Sequence, residues 1–185
     1  MWMRTKSIVV WLKKILENRL DIGEKEMDKG AMYQLMNQQL EGLLKATPYR
    51  ISGLANASAL LWETLRDINW AGFYLIEDGK LILGPFQGKV ACTEIEIGRG
   101  VCGTAVEKDE VLLVENVHEF PGHIACDSAS ESEIVLPIHY NGEVVGVLDI
   151  DSPLPARFDG EDEEGLRKFV EVLERDLGRK GAGAW

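Results

Sequence analysis

The dipeptide Asn141-Gly142 lies between two long β-rich runs, and this pattern constrains the fold more than any other in the chain. The runs cover residues 134–140 and 143–150. Asn-Gly tolerates the positive φ angles that a type I′ turn demands, so the two runs are predicted to pair as an antiparallel hairpin. Pro137 cannot donate a hydrogen bond to a neighbouring strand, which predicts an edge position or a bulge there.

Shorter patterns on both sides of this hairpin extend the prediction to an α+β fold. Residues 51–66 carry apolar side chains at helical spacing, and a C-terminal helix is predicted from Asp159 as N-cap, with acids in its first turn and bases in its last. The other predicted strands are residues 74–76, 81–83, 93–97 and 111–114. Helices at the ends of a meandering sheet of about six strands predict an α+β sandwich rather than a doubly wound α/β fold.

The charge of the chain is unevenly distributed. The formal net charge is −11 over 185 residues, which argues against a nucleic-acid partner. Residues 1–26 form a basic, amphipathic extension that lacks the uninterrupted apolar stretch of a signal peptide. We expect this extension to be dispensable, residues 27–180 to form the domain, and 181–185 to be a tail. No integral membrane segment is predicted, and a cytoplasmic location is expected.

The three cysteines lie in one part of the chain, at Cys92, Cys102 and Cys126. An odd, clustered set in a chain without a secretory signal favours reactive or metal-binding thiols over a disulfide framework. Together with His118 and His123 they would make a zinc set, but their spacings match no compact zinc motif. We therefore predict no metal.

Six segments of the chain resemble the free methionine-(R)-sulfoxide reductases, which are single GAF domains. The segments are DINWAGFY (67–74), LGPFQGK (83–89), GRGVCGTA (98–105), GHIACD (122–127), SEIVLP (132–137) and GVLDIDS (146–152). The similarity runs from about Met27 to the C-terminal helix, and cysteines and carboxylates match together and in order. The glycine-rich segment does not have the spacing of a dinucleotide or phosphate loop.

The resemblance implies a thiol mechanism without a cofactor. It makes Cys126 the nucleophile that attacks the sulfoxide sulfur and Cys92 the thiol that resolves the resulting sulfenic acid. Cys102 matches a third cysteine of the family and is either an auxiliary resolving residue or part of the pocket lining. Thioredoxin would then reduce the disulfide.

The resemblance also implies how the substrate is held. Glu133, Asp149 and Asp151 would line the pocket and bind the substrate ammonium, while Trp70 and Tyr74 would form an apolar wall for its methyl group. Neighbouring acids raise one another's pKa, so one of them can donate a proton near neutral pH. Glu133 is our first choice for that donor.

Ordinary structural roles and a second function stay open at this stage. The two aspartates alternate on a strand and fit a solvated sheet end, and either aromatic residue fits a core position. His139 is expected at the surface of a strand. A GAF sensory module that binds a ligand without catalysis would share the fold. The sequence does not decide the oligomeric state, and a homodimer is one candidate.

Overall fold

The computed structural model of the chain describes residues 28–122 and 128–180, with side chains as far as residue 177. The predictions for residues 1–26, for the tail 181–185 and for Cys126 lie outside the described residues. So does the prediction for His123.

A six-stranded sheet forms the centre of the described chain, and every neighbouring pair of strands is antiparallel. Its order is β3-β2-β1-β6-β5-β4. The strands are β1 Trp70–Glu77, β2 Lys80–Gly88, β3 Glu94–Glu96, β4 Leu112–Val114, β5 Ser132–Tyr140 and β6 Glu143–Ser152. The predicted hairpin of β5 and β6 is confirmed, and the predicted strands 74–76 and 81–83 pair with each other within β1 and β2. Asn141 and Gly142 have φ angles of 53° and 82°, as a type I′ turn requires.

Pro137 lies on a strand that is internal in the sheet order, yet its position is consistent with the missing donor. The short strand β4 pairs with β5 only as far as Val135, so Pro137 lies beyond the last β4 partner and pairs only with Val147 of β6. The edge position predicted for Pro137 is therefore local to that part of β5.

Four α-helices accompany the sheet, namely α1 Lys29–Ala46, α2 Arg50–Thr64, α3 Gly100–Lys108 and α4 Gly160–Lys180. The helices predicted over 51–66 and after Asp159 are confirmed. The Asp159 carboxylate accepts from the backbone N–H groups of Glu161 and Asp162 at 2.9 and 3.1 Å. Helix α3 was not predicted, because its glycine-rich start hides a helical pattern. A Cβ on Gly103 would meet the carbonyl oxygen of Glu96, so glycine allows α3 to pack on β3.

The two faces of the sheet carry different clusters. The larger core packs α1, α2 and α4 against one face, with Phe73, Ile134 and Ile150 among its buried side chains. A smaller cluster on the opposite face packs Val101 and Ala105 of α3 against the sheet. Side chains alternate along a strand, so the residues between the large-core positions point to the α3 face. That face holds the candidate site.

Candidate active site

The register of three strands gathers the predicted polar and aromatic residues at one end of the α3 face. Glu133 of β5 is paired with Asp151 of β6, and Asp151 is paired on its other side with Trp70 of β1. Asp149 lies two residues before Asp151, on the same face. Tyr74, four residues after Trp70, also shares that face. All five line one pocket.

Helix α3 places a thiol directly above two of these carboxyl groups. The Cys102 thiol donates a long hydrogen bond of 3.8 Å to Glu133 Oε1. Its sulfur, one oxygen of Glu133 and one oxygen of Asp149 all lie within 4.8 Å of one another. The three residues are buried, with exposures of 4–6%. Such a cluster of buried acids is costly, which favours a functional reason for it.

Burial dominates the electrostatics of this cluster. It raises the pKa of Glu133 well above the usual range of a carboxyl group, and the charges of Asp149 and Asp151 raise it further. Burial also raises the pKa of Asp149 to about 6, against hydrogen bonds from Cys102 and Glu133 that lower it. The pKa of the Cys102 thiol rises well above its ordinary value, first through burial and then through Asp149 and Glu133. The Cys102 thiol therefore keeps its proton at neutral pH, and the raised pKa of Glu133 favours the protonated form of its carboxyl group.

The aromatic wall of Trp70 and Tyr74 packs next to a glycine, Gly72, which leaves room for the indole ring. The Trp70 and Tyr74 rings stack with 5.8 Å between their centroids. The Phe86 ring stacks on the Trp70 ring with 5.2 Å between their centroids. A Cβ on Gly72 would come within 2.8 Å of Trp70 Cη2, so only glycine leaves room for the indole. Trp70 is buried, and its Nε1 has no hydrogen-bond partner among the described residues.

Cys92 reaches the same site from the loop between β2 and β3. It is disulfide-bonded, whereas Cys102 is a free thiol. The Tyr74 hydroxyl donates to the backbone carbonyl of Cys92 at 3.0 Å, so the aromatic wall also holds the segment that carries this sulfur. Cys126 falls outside the described residues, and its predicted role stays a prediction.

The pocket includes residues that the sequence did not single out. Ser130 is buried in the wall and its Oγ accepts from Asn69 Nδ2 at 3.0 Å. Arg99, the N-cap of α3, is exposed and lines the same pocket. The cavity volume of the pocket is about 40 Å³, below the range of sites that enclose a small molecule. Ser130 lies in none of the six family segments and Arg99 lies in one without an implied role, so only the meeting of α3 with the sheet identifies them as pocket residues.

The described histidines are in contact with acids outside the pocket. His118 Nε2 lies 3.4 Å from Glu131, while His139 contacts Glu174 at 2.9 Å and Asp109 at 2.7 Å. His139 is partly buried rather than simply a surface residue. In residues 28–122 and 128–180, no helix is both long and apolar enough to cross a bilayer.

Comparison with known proteins agrees with this geometry. The family model described as GAF domain matches residues 39–177. The free methionine-R-sulfoxide reductase of Escherichia coli K12 is 55% identical over 151 residues, which are 82% of this chain and 92% of that protein. The chain belongs to the free methionine-R-sulfoxide reductase family of GAF-domain proteins.

More distant members of this reductase family match over a similar share of the chain. The free methionine-R-sulfoxide reductase of Saccharomyces cerevisiae is 43% identical, over 80% of this chain and 87% of its own. The crystal structure of the free methionine-R-sulfoxide reductase of Neisseria meningitidis in complex with its substrate superposes with a TM-score of 0.81. It is 40% identical, over 84% of this chain and 94% of its own. The predicted GAF fold and family are confirmed.

Proposed function

We propose that the chain reduces free methionine-(R)-sulfoxide to methionine by thiol chemistry. The observation that carries the proposal is the buried cluster of Cys102, Glu133 and Asp149 beside the Trp70 wall, in a member of this reductase family. A small amphiphilic zwitterion needs such a mixed pocket, with acids for its ammonium and an aromatic surface for its methyl group.

Asp149 is the main partner of the substrate ammonium. Its pKa of about 6 leaves it mostly charged at pH 7, whereas burial raises the pKa of Glu133 well above the usual range of a carboxyl group. Asp149 Oδ1 has no hydrogen-bond partner in the described part of the chain, so it can accept a hydrogen bond from the substrate ammonium. Asp151 adds negative charge beside it. Arg99 at the mouth supplies the opposite charge for the substrate carboxylate.

Glu133 is the proton donor to the sulfoxide oxygen. Burial and the neighbouring acids raise its pKa, which favours the protonated carboxyl group, and attack on sulfur becomes easier as the sulfoxide oxygen accepts that proton. Cys102 is a poor first nucleophile, because its own raised pKa keeps it a thiol. These two observations support Cys126 as the nucleophile and Cys102 as a pocket residue.

The thiol steps transfer two electrons to the substrate. The Cys126 thiolate attacks the sulfoxide sulfur, methionine leaves, and the oxygen stays on Cys126 as a sulfenic acid. The Cys92 thiol then attacks that sulfur, releasing water and forming a disulfide. Cys92 is disulfide-bonded in the structure, which supports its role as a thiol that enters a disulfide. Thioredoxin supplies the dithiol that restores both thiols.

A coupled assay tests the whole proposal. The purified chain, thioredoxin, thioredoxin reductase and free methionine-(R)-sulfoxide should consume NADPH, and the (S) epimer should not support consumption. Cys126→Ser should abolish even one turnover, because serine is far too weak a nucleophile at neutral pH. Cys92→Ser should release about one methionine per chain and then stop. Sustained turnover by Cys92→Ser would assign the resolving role to Cys102.

The proposal also includes the domain limits, the cellular location and the oligomeric state of the protein. The GAF match at residues 39–177 lies inside the proposed domain 27–180, which leaves 1–26 and 181–185 outside it. A cytoplasmic location, where thioredoxin keeps thiols reduced, fits the mechanism. A homodimer stays a prediction, and sedimentation analysis tests it. Ligand binding without NADPH consumption would favour the sensory-module alternative.

A further inference from the structure

The buried cluster beneath α3 combines one soft and two hard metal ligands. Cys102 offers a sulfur, and Glu133 and Asp149 each offer an oxygen, with the three atoms within 4.8 Å of one another. In tetrahedral zinc sites, metal–sulfur bonds of about 2.3 Å and metal–oxygen bonds of about 2.1 Å set ligand atoms less than 4 Å apart. The 3.8 Å separation of Cys102 Sγ and Glu133 Oε1 already matches that spacing.

A second observation indicates that the cluster can accept a positively charged ligand. Asp149 is buried to more than nine-tenths, yet its Oδ1 has no hydrogen-bond partner within the described residues, and the residue lines the pocket. An unsatisfied buried carboxylate oxygen is costly, and a positive ligand in the pocket removes that cost. A metal ion bound to that oxygen would remove the same cost and needs less room than a substrate molecule.

We infer that Cys102, Glu133 and Asp149 form an inhibitory binding site for a thiophilic divalent cation such as Zn²⁺. Three protein ligands leave the fourth tetrahedral position open to water. Because the same acids face the substrate pocket, the cation and the substrate ammonium exclude each other. The site would couple reductase activity to the supply of free zinc.

Metal binding at this cluster exchanges protons for the cation. Binding releases the thiol proton of Cys102, and the proton of any protonated carboxyl group, to solvent, and no oxidation takes place. The resulting thiolate and two carboxylates carry three negative charges, and the two positive charges of the ion relieve the repulsion among them.

The test uses the full-length chain after mild oxidation has closed the Cys92 disulfide, so that thiol titration finds only Cys102. In this state the thiols proposed for catalysis cannot bind metal. Co²⁺ is added as a spectroscopic probe. We expect a thiolate-to-cobalt charge-transfer band that saturates at one ion per chain and disappears when Zn²⁺ displaces Co²⁺.

Matched variants separate this site from other metal binding. Cys102→Ser should abolish the band and weaken Zn²⁺ binding at least about 100-fold, since changes outside the ligand shell already cost 10- to 100-fold. Asp149→Asn should weaken Zn²⁺ binding to a similar degree. Asp151→Asn makes the same chemical change two residues along β6, outside the cluster, and should cost less than about tenfold. His118→Asn, which removes a surface imidazole, should have no effect.

The results distinguish this inference from the proposed function. Unchanged Zn²⁺ affinity in Cys102→Ser, or a saturable cobalt spectrum without a thiolate band, would overturn the site. Melting curves of the variants show that each is folded, and Asp149→Asn provides an independent test if Cys102→Ser is not. Metal binding in an inactive protein would leave the site standing and the reductase proposal refuted. In the active protein, Zn²⁺ should raise the substrate KM and leave kcat unchanged.

Discussion

The charge of Asp149 predicts how the protein should discriminate between free and N-acetylated methionine-(R)-sulfoxide. Acetylation removes the ammonium, so the pocket must either keep a buried carboxylate unpaired or protonate it. An unpaired buried charge costs about 3 to 5 kcal/mol. Protonation is the cheaper route here, because the pKa of Asp149 is already raised to about 6 by burial.

The cost of that protonation depends on pH, which makes the prediction quantitative. Above the pKa of a group, the free energy needed to protonate it rises by about 1.36 kcal/mol for each pH unit. If binding requires that protonation, each pH unit therefore lowers kcat/KM about tenfold. The ratio of kcat/KM for the free and acetylated substrates should thus be about tenfold at pH 7 and about a hundredfold at pH 8. Near pH 6 the contribution of Asp149 should vanish, leaving only steric selection against the acetyl group.

The coupled thioredoxin assay measures both substrates at pH 6, 7 and 8. Any pH dependence of thioredoxin and its reductase is common to the two substrates and cancels in the ratio. Asp149→Asn is the control, since its amide does not titrate and the ratio should become independent of pH. A parent ratio that is flat between pH 6 and 8 would refute the assignment of Asp149 as the ammonium partner.

Four further predictions concern three single residues and the N-terminal extension. Asp149→Asn should raise the free energy of unfolding at pH 7, measured in urea melts, by up to about 3 kcal/mol. The reason is that burial raises the pKa of the native carboxyl group from 3.8 to about 6, so ionising it at pH 7 destabilises the folded state. At pH 3.5, where the carboxyl group is protonated in both states, the gain should vanish. Tyr74→Phe removes the 3.0 Å hydrogen bond to the Cys92 carbonyl, which is worth about 1 kcal/mol. Disulfide closure in single-turnover quench experiments should therefore slow about fivefold. An unchanged rate would show that Tyr74 does not position Cys92. Arg99→Ala should raise KM about tenfold with little change in kcat, as expected for a charged hydrogen bond at an open mouth, and a purely kcat effect would contradict it. A chain starting at Met27 should keep its activity and melt within a few degrees of the parent; a large loss of either would show that residues 1–26 pack on the domain.

Local patterns in the sequence were sufficient for most of the fold. The Asn141-Gly142 turn, the β-rich runs on both sides of it and the cap at Asp159 each depend on neighbours within a few residues, and the structure confirms all three. Helix α1 was given no range from the sequence, and helix α3 was not predicted at all. Its glycines are required by the close approach to β3, a contact between segments that no local window contains.

The family motifs named the candidate site residues, but not their arrangement. Sequence alone placed Cys102, Glu133 and Asp149 on separate motifs and left the role of the thiol open. The sheet register and the packing of α3 bring the three within 4.8 Å and bury them. Burial, and not residue type, then decides which groups hold protons at neutral pH. Desolvation is a property of the surrounding tertiary structure, so only the folded chain raises the pKa of Glu133, Cys102 and Asp149 to different extents.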